Sequence, residues 1–363
     1  MSLAEFATTT KRLITYSAIG VVLLLILMLV YRSAVKLYLT LNPPTAAPPT
    51  VGFGKLPAPR LISLPIEGNP AFLLETPTGE LPAFADRIEV VAVNPIQPTL
   101  LGEEKARELA RQLDFGGEGE LSFDRKTLTF QDVVDQRTLI VNVVTQNFTL
   151  TTNLNRIAAL PPGRTPSGPT AIKQAQSILN RLGLLKFGFD KGNQATTLRK
   201  VLAGEIQKAG SISEAQFAEV NFYRSLTEVG SQTLPILPPK PKTGLIQIWI
   251  TTGLKPAILN TLTISYNAQG TKIDRTKIET YPLKNVSQAW EEVKGGKGAT
   301  FIGVAGKINT VTITDVSLAY FDDLTRQNYL QPIFVFSGIA QNSNGEGEFT
   351  AYASAVSDEW VED

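Results

Sequence analysis

The sequence predicts an α+β protein with an N-terminal transmembrane helix, a Pro-rich linker and then antiparallel-sheet modules that each carry packed helices. Three observations support this class. Residues 13–31 contain no charged side chain, and a run of this length is about what a helix needs to cross a bilayer. Residues 42–60 contain six prolines, a composition typical of an extended spacer. Further along, short β-branched or alternating runs bounded by Gly, Pro or Asn indicate strands.

The apolar run is interpreted as an uncleaved signal anchor. Basic residues flank it and tyrosines stand near its ends: Lys11, Arg12, Arg32 and Lys36, with Tyr16 and Tyr31. A cleaved signal peptide would have an apolar region of about 7–15 residues followed by small residues, whereas Arg32 follows this run directly. A buried core helix is the other alternative, and the length of the run disfavours it.

The charges beside the run do not orient it, because two basic residues lie on each side. Long domains translocate largely regardless of charge. We therefore expect a single-pass protein of the cell membrane, with a cytoplasmic N-terminus, residues 32–363 extracytoplasmic and the lipid bilayer as partner of residues 13–31.

Composition excludes several classes of function. The chain has 34 basic and 33 acidic residues and a net charge of +1, and no charged block suggests a nucleic-acid surface. It has no cysteine and no histidine, which excludes Ser-His-Asp and Cys-His catalysis, thiolate metal sites and most zinc sites. An enzyme of this sequence would depend on carboxylates, Lys, Tyr, Ser or Thr. We predict no cofactor.

Breaks in composition divide the chain into segments. Linkers rich in Pro, Gly, Ser and Thr lie at 161–169 and 235–241. The predicted organisation is a cytoplasmic tail (1–12), the transmembrane helix (13–31), the Pro-rich linker (32–60), a first α+β module (61–160), a helical connecting region (161–241) and a C-terminal α+β module (242–363). We expect the linker to dock onto the first module through Phe53.

Periodicity places the elements within these segments. Strands are predicted at 71–75, 87–93, 121–123 and 127–130, as a long strand or hairpin at 138–152, and at 245–251, 258–266, 277–281, 308–321, 329–337 and 348–356. Helices are predicted at 102–113, at 170–185 with Gly183 or Gly188 ending it, at 198–209, at 213–218 and at 286–294 with Ser287 as cap.

The helix at 286–294 should lie on the sheet formed by the last strands. Ala289, Trp290 and Val293 mark its apolar face. We expect Trp290 to be its central buried contact. The opposing side chains are expected to be Leu318, Tyr320, Ile333 and Val335.

One loop resembles part of a calcium site. Asn342, Asn344 and Glu346 supply oxygens at alternate positions, Glu348 follows, and Gly347 stands where the site requires a glycine. The site is incomplete, because Ala353 occupies the position of the bidentate Glu. A Gly/Asn hairpin between two strands explains the same residues. We therefore predict no metal site, with this loop as the one weak candidate.

Two other patterns have ordinary explanations. Residues 295–300 resemble a phosphate loop but lack its spacing, and a helix C-cap with a turn fits them better. Adjacent acidic residues occur at 103–104 and 322–323. Neighbouring side chains on a strand or helix point apart, so neither pair predicts an acid–base dyad.

The C-terminal third resembles a known family. The residues that carry the resemblance are Val316–Phe321, Tyr329–Phe336 and Phe349–Val356, with Tyr281-Pro-Leu and Ala289-Trp-Glu-Glu before them. Together they resemble the closing module of single-pass exported bacterial membrane proteins of the YycH/YycI or PepSY-like kind. The resemblance implies regulation through contact with a membrane kinase, and it implies no active-site residue.

Taken together, these patterns predict a membrane-anchored, extracytoplasmic, non-enzymatic binding, scaffold or regulatory protein of the bacterial cell envelope, with an envelope or membrane protein as partner. Two alternatives stay open. One is a carboxylate-dependent hydrolase of envelope glycans, which would need two carboxylates roughly 5–9.5 Å apart in one cleft. The other is a structural surface component that polymerises through its sheet edges.

Overall fold

The structure is a computed structural model that describes residues 16, 23–36, 38, 48–62, 65–94, 99–224, 234–268, 272–324 and 327–362. The chain divides into two compact units, 1–48 and 49–363. In the first unit, a helix (α1) covers 23–36. The α-helices of the second unit are α2 (Gly102–Gln112), α3 (Leu154–Ala158), α4 (Gly168–Arg181) and α5 (Val286–Lys294).

The predicted transmembrane helix is contradicted. In the part of the chain that the structure describes, no helix has the length and apolar character needed to cross a bilayer. The described part of α1 includes the charged residues Arg32 and Lys36. The single-pass, signal-anchor, cell-membrane and extracytoplasmic assignments are therefore wrong. Residues 1–15 and 17–22 of the predicted tail and helix lie outside the described residues.

The α+β class is also wrong, because the second unit consists mainly of strands in two large sheets. The strands are β1 (Ala71–Leu74), β2 (Arg87–Asn94), β3 (Glu120–Leu121), β4 (Thr127–Asp132), β5 (Arg137–Asn142), β6 (Phe148–Thr152), β7 (Gln194–Leu202), β8 (Glu205–Lys208), β9 (Phe217–Phe222), β10 (Ile236–Leu237), β11 (Ile246–Ile250), β12 (Thr261–Tyr266), β13 (Lys272–Pro282), β14 (Ala299–Ile302), β15 (Thr310–Phe321), β16 (Tyr329–Asn342) and β17 (Gly345–Ser354).

Sheet A has nine strands in the order β3-β4-β5-β6-β12-β11-β9-β7-β8, and its neighbours pair antiparallel. Sheet B has eight strands: β1-β15-β16-β17-β14 form its main path, β10 lies beside β15, and β2 pairs with β13 and β16. Its β1–β15 and β10–β15 pairs are parallel.

Sheet A buries one face under α2 and α4. The side chains of this face lie at alternate positions of the strands, as in Leu139 and Val141 of β5 or Ile246 and Ile248 of β11. Against them pack small residues of the two helices: Ala106 and Ala110 of α2, and Ala171 and Ala175 of α4. Alternation on the strands and a 3.6-residue period on the helices therefore meet in one core.

The segment after α4 was predicted to contain two helices, but it forms strands and a turn. Residues predicted as a helix at 198–209 form the β7–β8 hairpin. Ala203 and Gly204 both have positive φ, 53° and 81°, which is the conformation of a tight hairpin turn. The predicted helix at 213–218 is a turn that leads into β9. Every residue of β9 is buried, so its burial pattern does not have the period of a surface helix.

Helix α5 covers the predicted residues and lies on sheet B. Its cap is Asn285 rather than Ser287, because the Asn285 side chain accepts a hydrogen bond from Ser287 N. Trp290 is 5% exposed, so its predicted burial is confirmed. The sheet face that it contacts carries Phe334 and Phe336.

Three of the four side chains expected to oppose Trp290 lie outside its cluster. Only Leu318 packs beside the cluster that contains Trp290. Ile333 and Val335 alternate with Phe334 and Phe336 along β16 and belong to a cluster of the opposite face. Tyr320, in register with Pro332, lies on the same face as Leu318 but in a separate cluster. Side chains alternate along a strand, so an error of one position changes the face.

The β4–β5 hairpin is closed by an ion pair. Arg137, 2% exposed at its side chain, lies 2.8 Å from the Asp132 carboxylate. Its guanidinium also donates to the carbonyls of Leu113 and Asp114. Burial alone would raise the pKa of Asp132, but hydrogen bonds from the Asp135 N–H and from Arg137 lower that pKa below its ordinary value.

The described end of the Pro-rich linker docks through Phe53, but not onto the predicted first module. Phe53 lies 4.9 Å from the Tyr329 ring, and its N–H donates to the Tyr281 hydroxyl. That hydroxyl donates in turn to the carbonyl of Gly54. The partners are strands β13 and β16 of sheet B, which sequence proximity could not indicate.

Candidate ligand-binding site

A cavity of about 380 Å³ lies in the second unit, at the end of sheet A where α2, the β5–β6 turn and the loop after α4 meet. Its apolar lining consists of Leu109, Val144, Leu182, Leu184, Phe187 and the ring of Tyr266. The volume and the mostly apolar lining match those of small-molecule sites.

One wall depends on a close approach of α2 to the β5–β6 turn. A Cβ on Gly102 would lie 2.1 Å from the carbonyl oxygen of Val143, so only glycine fits without a shift. Gln146 connects the two segments, since its side-chain amide nitrogen Nε2 donates to the carbonyls of Gly102 and Val143 at 3.2 and 2.8 Å. Leu109 then faces the cavity from the edge of the apolar stripe of α2.

The opposite wall follows the end of α4. Gly183 has φ +66°, and the Leu184 N–H donates to the Leu179 carbonyl at 2.8 Å. This 6→1 hydrogen bond is the Schellman termination of a helix, so of the two glycines predicted to end the helix, Gly183 is the one that does. The turn directs Leu184 toward the cavity. Phe187, also at positive φ (61°), completes this wall.

Tyr266 contributes a buried aromatic ring to the cavity. It is 4% exposed and stacks on Phe148 with ring centroids 5.4 Å apart. Burial raises the pKa of Tyr266 to about 12, and the charge of Arg224 partly opposes this rise. The hydroxyl therefore stays protonated at neutral pH. Within the described residues it has no hydrogen-bond partner.

The charged side chains of the cavity differ in whether they have an ion-pair partner. Glu108 accepts hydrogen bonds from Arg111 and Gln112, and these bonds, with Arg111 contributing most, lower the pKa of Glu108. Lys186 lies over the Phe187 ring at 5.2 Å. Among the described residues, neither Lys105 nor Lys186 has an ion-pair partner. The unneutralised charge of the cavity lining is therefore positive.

The weak calcium candidate lies elsewhere, in the hairpin between β16 and β17. Asn342 pairs with Gly345 at its end. The Asn342 Oδ1 accepts from the Asn344 N–H at 2.8 Å, and its Nδ2 donates to the Ala305 carbonyl at 2.9 Å. These bonds shape a tight turn.

The two glutamates of that hairpin have protein partners. Glu346 accepts from Gln341 at 3.1 Å, and Glu348 pairs with Lys242. Over the described ranges, no three acidic side chains are grouped so that they could hold a metal ion.

One residue of each adjacent acidic pair forms ion pairs with basic side chains. Glu103 pairs with Arg107 and Arg125. Asp322 is buried and lies 3.2 Å from Nε of Arg224, which follows β9, so this ion pair joins the two sheets. Burial raises the pKa of Asp322, while Arg224 opposes the rise.

The phosphate-loop-like residues form the end of α5 and the start of β14. Gly295 is the C-cap of α5, and Gly296 and Gly298 have positive φ of 77° and 89°. The helix C-cap and turn that the sequence favours are therefore present.

Sequence reasoning did not identify the cavity. Its walls come from four places in the chain, around 99–112, 144–146, 182–187 and 266. One signal was available: beyond Gly183, one of the two glycines predicted to end the helix, residues 184–187 carry two leucines and a phenylalanine, more apolar surface than a turn needs.

Comparison with known proteins leaves this site to be interpreted from its own geometry. No protein-family model matches the chain, and no curated protein does. Among solved structures, the chain is similar to an uncharacterized protein from Eubacterium rectale ATCC 33656, with 11% identity over 81% of this chain and 90% of that chain and a TM-score of 0.37. A likeness of this size assigns neither a fold nor a function, and it does not bear on the resemblance to the YycH/YycI or PepSY-like kind.

Proposed function

We propose that the chain is a non-enzymatic binding protein and that the cavity beside α2 takes a small, mainly apolar molecule. The observation that carries the proposal is the cavity itself: about 380 Å³, walled by leucines and two aromatic rings. Burial of apolar surface is the main source of affinity in such sites. The binding role predicted from the sequence is thus proposed here without its membrane setting.

The walls are built to keep the cavity open. Gly102 allows α2 to approach the β5–β6 turn, and Gly183 turns the chain at the end of α4. Leu109, Leu182 and Leu184 are only partly buried although they pack against the core of sheet A. A ligand would complete their burial, at about 25 cal/mol for each Å² removed from water.

Octan-1-ol, a neutral amphiphile, tests the proposal on the full chain. At about 0.4 kcal/mol per heavy atom, binding should have a dissociation constant on the order of 1 mM. Ligand-observed NMR would measure it, and methyl nuclear Overhauser effects should connect octan-1-ol to Leu109, Val144 and Leu184.

A cavity-filling variant, Leu109→Trp, should abolish this binding, whereas the matched control Ile140→Trp, at an exposed residue of β5, should leave it unchanged. Thermal unfolding of both variants checks that they fold. Absence of saturable octan-1-ol binding, or Overhauser contacts at other residues only, would refute the proposal.

A further inference from the structure

The polar side chains of the cavity point to the chemistry of its ligand. Most of them are engaged with the protein: Glu108 with Arg111, and Gln146 with two backbone carbonyls. Those without a hydrogen-bond or ion-pair partner among the described residues are Lys105, Lys186 and Tyr266. Two are ammonium groups and the third is a phenol hydroxyl, so all three can donate hydrogen bonds.

A carboxylate satisfies such a set. Ionised, it only accepts hydrogen bonds, and it can accept several at once. A cationic headgroup would be repelled by the two ammonium groups and would offer the Tyr266 hydroxyl no acceptor. Since Tyr266 keeps its proton at neutral pH, it stays a donor in the pH range in which carboxylates are ionised.

We propose that the cavity selects a small aliphatic carboxylate, with its chain among the leucines and its headgroup at Lys105 and Lys186. This inference rests on the proposed function and names the ligand class for the same cavity. The chain length follows from the volume: at about 30 Å³ for each atom-sized group, 380 Å³ corresponds to about a dozen heavy atoms. Octanoate, with ten, fits.

The energetics require both parts of such a ligand. Exposed charge pairs contribute little, so each lysine should change the affinity only two- to fivefold. The apolar chain must therefore supply most of the affinity, and the lysines supply selectivity. Acetate, which has the headgroup without the chain, should show no saturable binding.

The experiment compares octanoate, octan-1-ol and octyltrimethylammonium on the full chain by ligand-observed NMR at pH 7 and low salt. Octanoate should bind several-fold more tightly than octan-1-ol, and octyltrimethylammonium more weakly than either. Lys105→Gln/Lys186→Gln should weaken octanoate about tenfold and leave octan-1-ol unchanged. The matched control is Lys173→Gln, at an exposed position of α4 outside the cavity lining. Raising the salt to 0.5 M should reduce the octanoate preference.

The outcomes separate the two proposals. If neither octan-1-ol nor octanoate binds, the proposed function fails. If octan-1-ol binds while octanoate is no tighter, or if the double lysine variant keeps full octanoate affinity, the carboxylate inference is refuted and the binding function stands. If octyltrimethylammonium binds more tightly than octanoate, the cavity selects a cation and the carboxylate inference is refuted.

Discussion

Replacement of Trp290 by Ala should strongly destabilise the second unit. Trp290 lies between two aromatic rings: Phe336 of β16 at 5.3 Å, and Phe72 of β1 at 5.4 Å in an edge-on arrangement. Lys294 lies over its ring at 5.7 Å. The indole therefore connects α5 with strands from both ends of this unit's sequence, and its removal affects sheet B as a whole.

The size of the effect follows from the buried area. An aromatic side chain buries roughly 200 Å², and Trp290 is 5% exposed. At about 25 cal/mol per Å² the transfer free energy is about 5 kcal/mol. The alanine retains part of it, while the cavity left behind adds a cost, so we expect a loss of about 3–5 kcal/mol. Trp290→Phe keeps an aromatic ring between Phe72 and Phe336 and should lose less than half of this.

The assay is urea unfolding of the full chain, because Phe72 would be absent from a C-terminal fragment. With Trp249 and Trp360 replaced by Phe, the fluorescence of Trp290 reports its own environment. Acrylamide should quench it weakly in the folded protein. If Trp290 is freely quenched and the unfolding midpoint of Trp290→Ala equals that of its parent, the residue is an exposed anchor for a partner, and the core assignment is refuted.

Two further perturbations test contacts that hold α2 and the hairpins of sheet A. Asp132→Asn removes the carboxylate beside buried Arg137 and should lower the free energy of unfolding by about 2–3 kcal/mol at pH 7. Because the pKa of Asp132 is lowered in the folded state, the difference from wild type should shrink when urea unfolding is measured below about pH 4. A difference that does not change with pH would contradict the ion-pair explanation. Gly102→Ala forces a Cβ against the Val143 carbonyl and should cost about 1–3 kcal/mol in thermal unfolding, whereas Gly116→Ala, where a Cβ meets open space, should be neutral; equal effects would exclude the close approach as the cause.

Sequence patterns predicted an element correctly where its local preference matches its packing in the fold. The helix at 286–294 was located at its observed bounds because Ala289, Trp290 and Val293 follow the helical period and bury against one sheet. Gly183 was one of two glycines predicted to end a helix, and its positive φ in the structure is a conformation that favours glycine. The run at 138–152 contains Asn142, whose side chain accepts from the N–H groups of Val144 and Thr145 and so shapes the hairpin turn.

The errors came from positions where tertiary contacts override local preference. Residues 198–209 have helical spacing, but Leu198 and Arg199 pair with Ala218 and Phe217 of β9. The positive φ of Ala203 then reverses the chain toward β8. A short alanine-containing segment has only a weak helical preference, so the hydrogen bonds of a sheet edge can replace it. Similarly, the period of a strand identifies two faces without saying which face a helix will cover.

The cavity illustrates a different limit. Leu109, Val144, Leu184 and Tyr266 are each ordinary in their own segment: a helical stripe, a turn, a helix end and a strand end. What makes them a site is that β6 pairs with β12, bringing Phe148 beside Tyr266 across more than a hundred residues. No local pattern encodes that register. The composition could therefore exclude types of catalytic and metal site, but it could not indicate where a binding site lies.

The same pairing explains why the cavity lies at one end of sheet A. Where β6 begins and β12 ends, the Phe148–Tyr266 pair is the last to lie under regular strands, and the core must be closed by turns and helix ends. Two glycines occupy that boundary: Gly102 draws α2 onto the β5–β6 turn, and Gly183 turns the chain away from α4. Closure by these irregular segments leaves leucines facing one another without filling the space between them. A ligand bound there would contact side chains that the fold itself leaves partly exposed, so its binding should stabilise the protein by RT ln(1 + [L]/Kd), which rises with the logarithm of the ligand concentration once that concentration exceeds Kd.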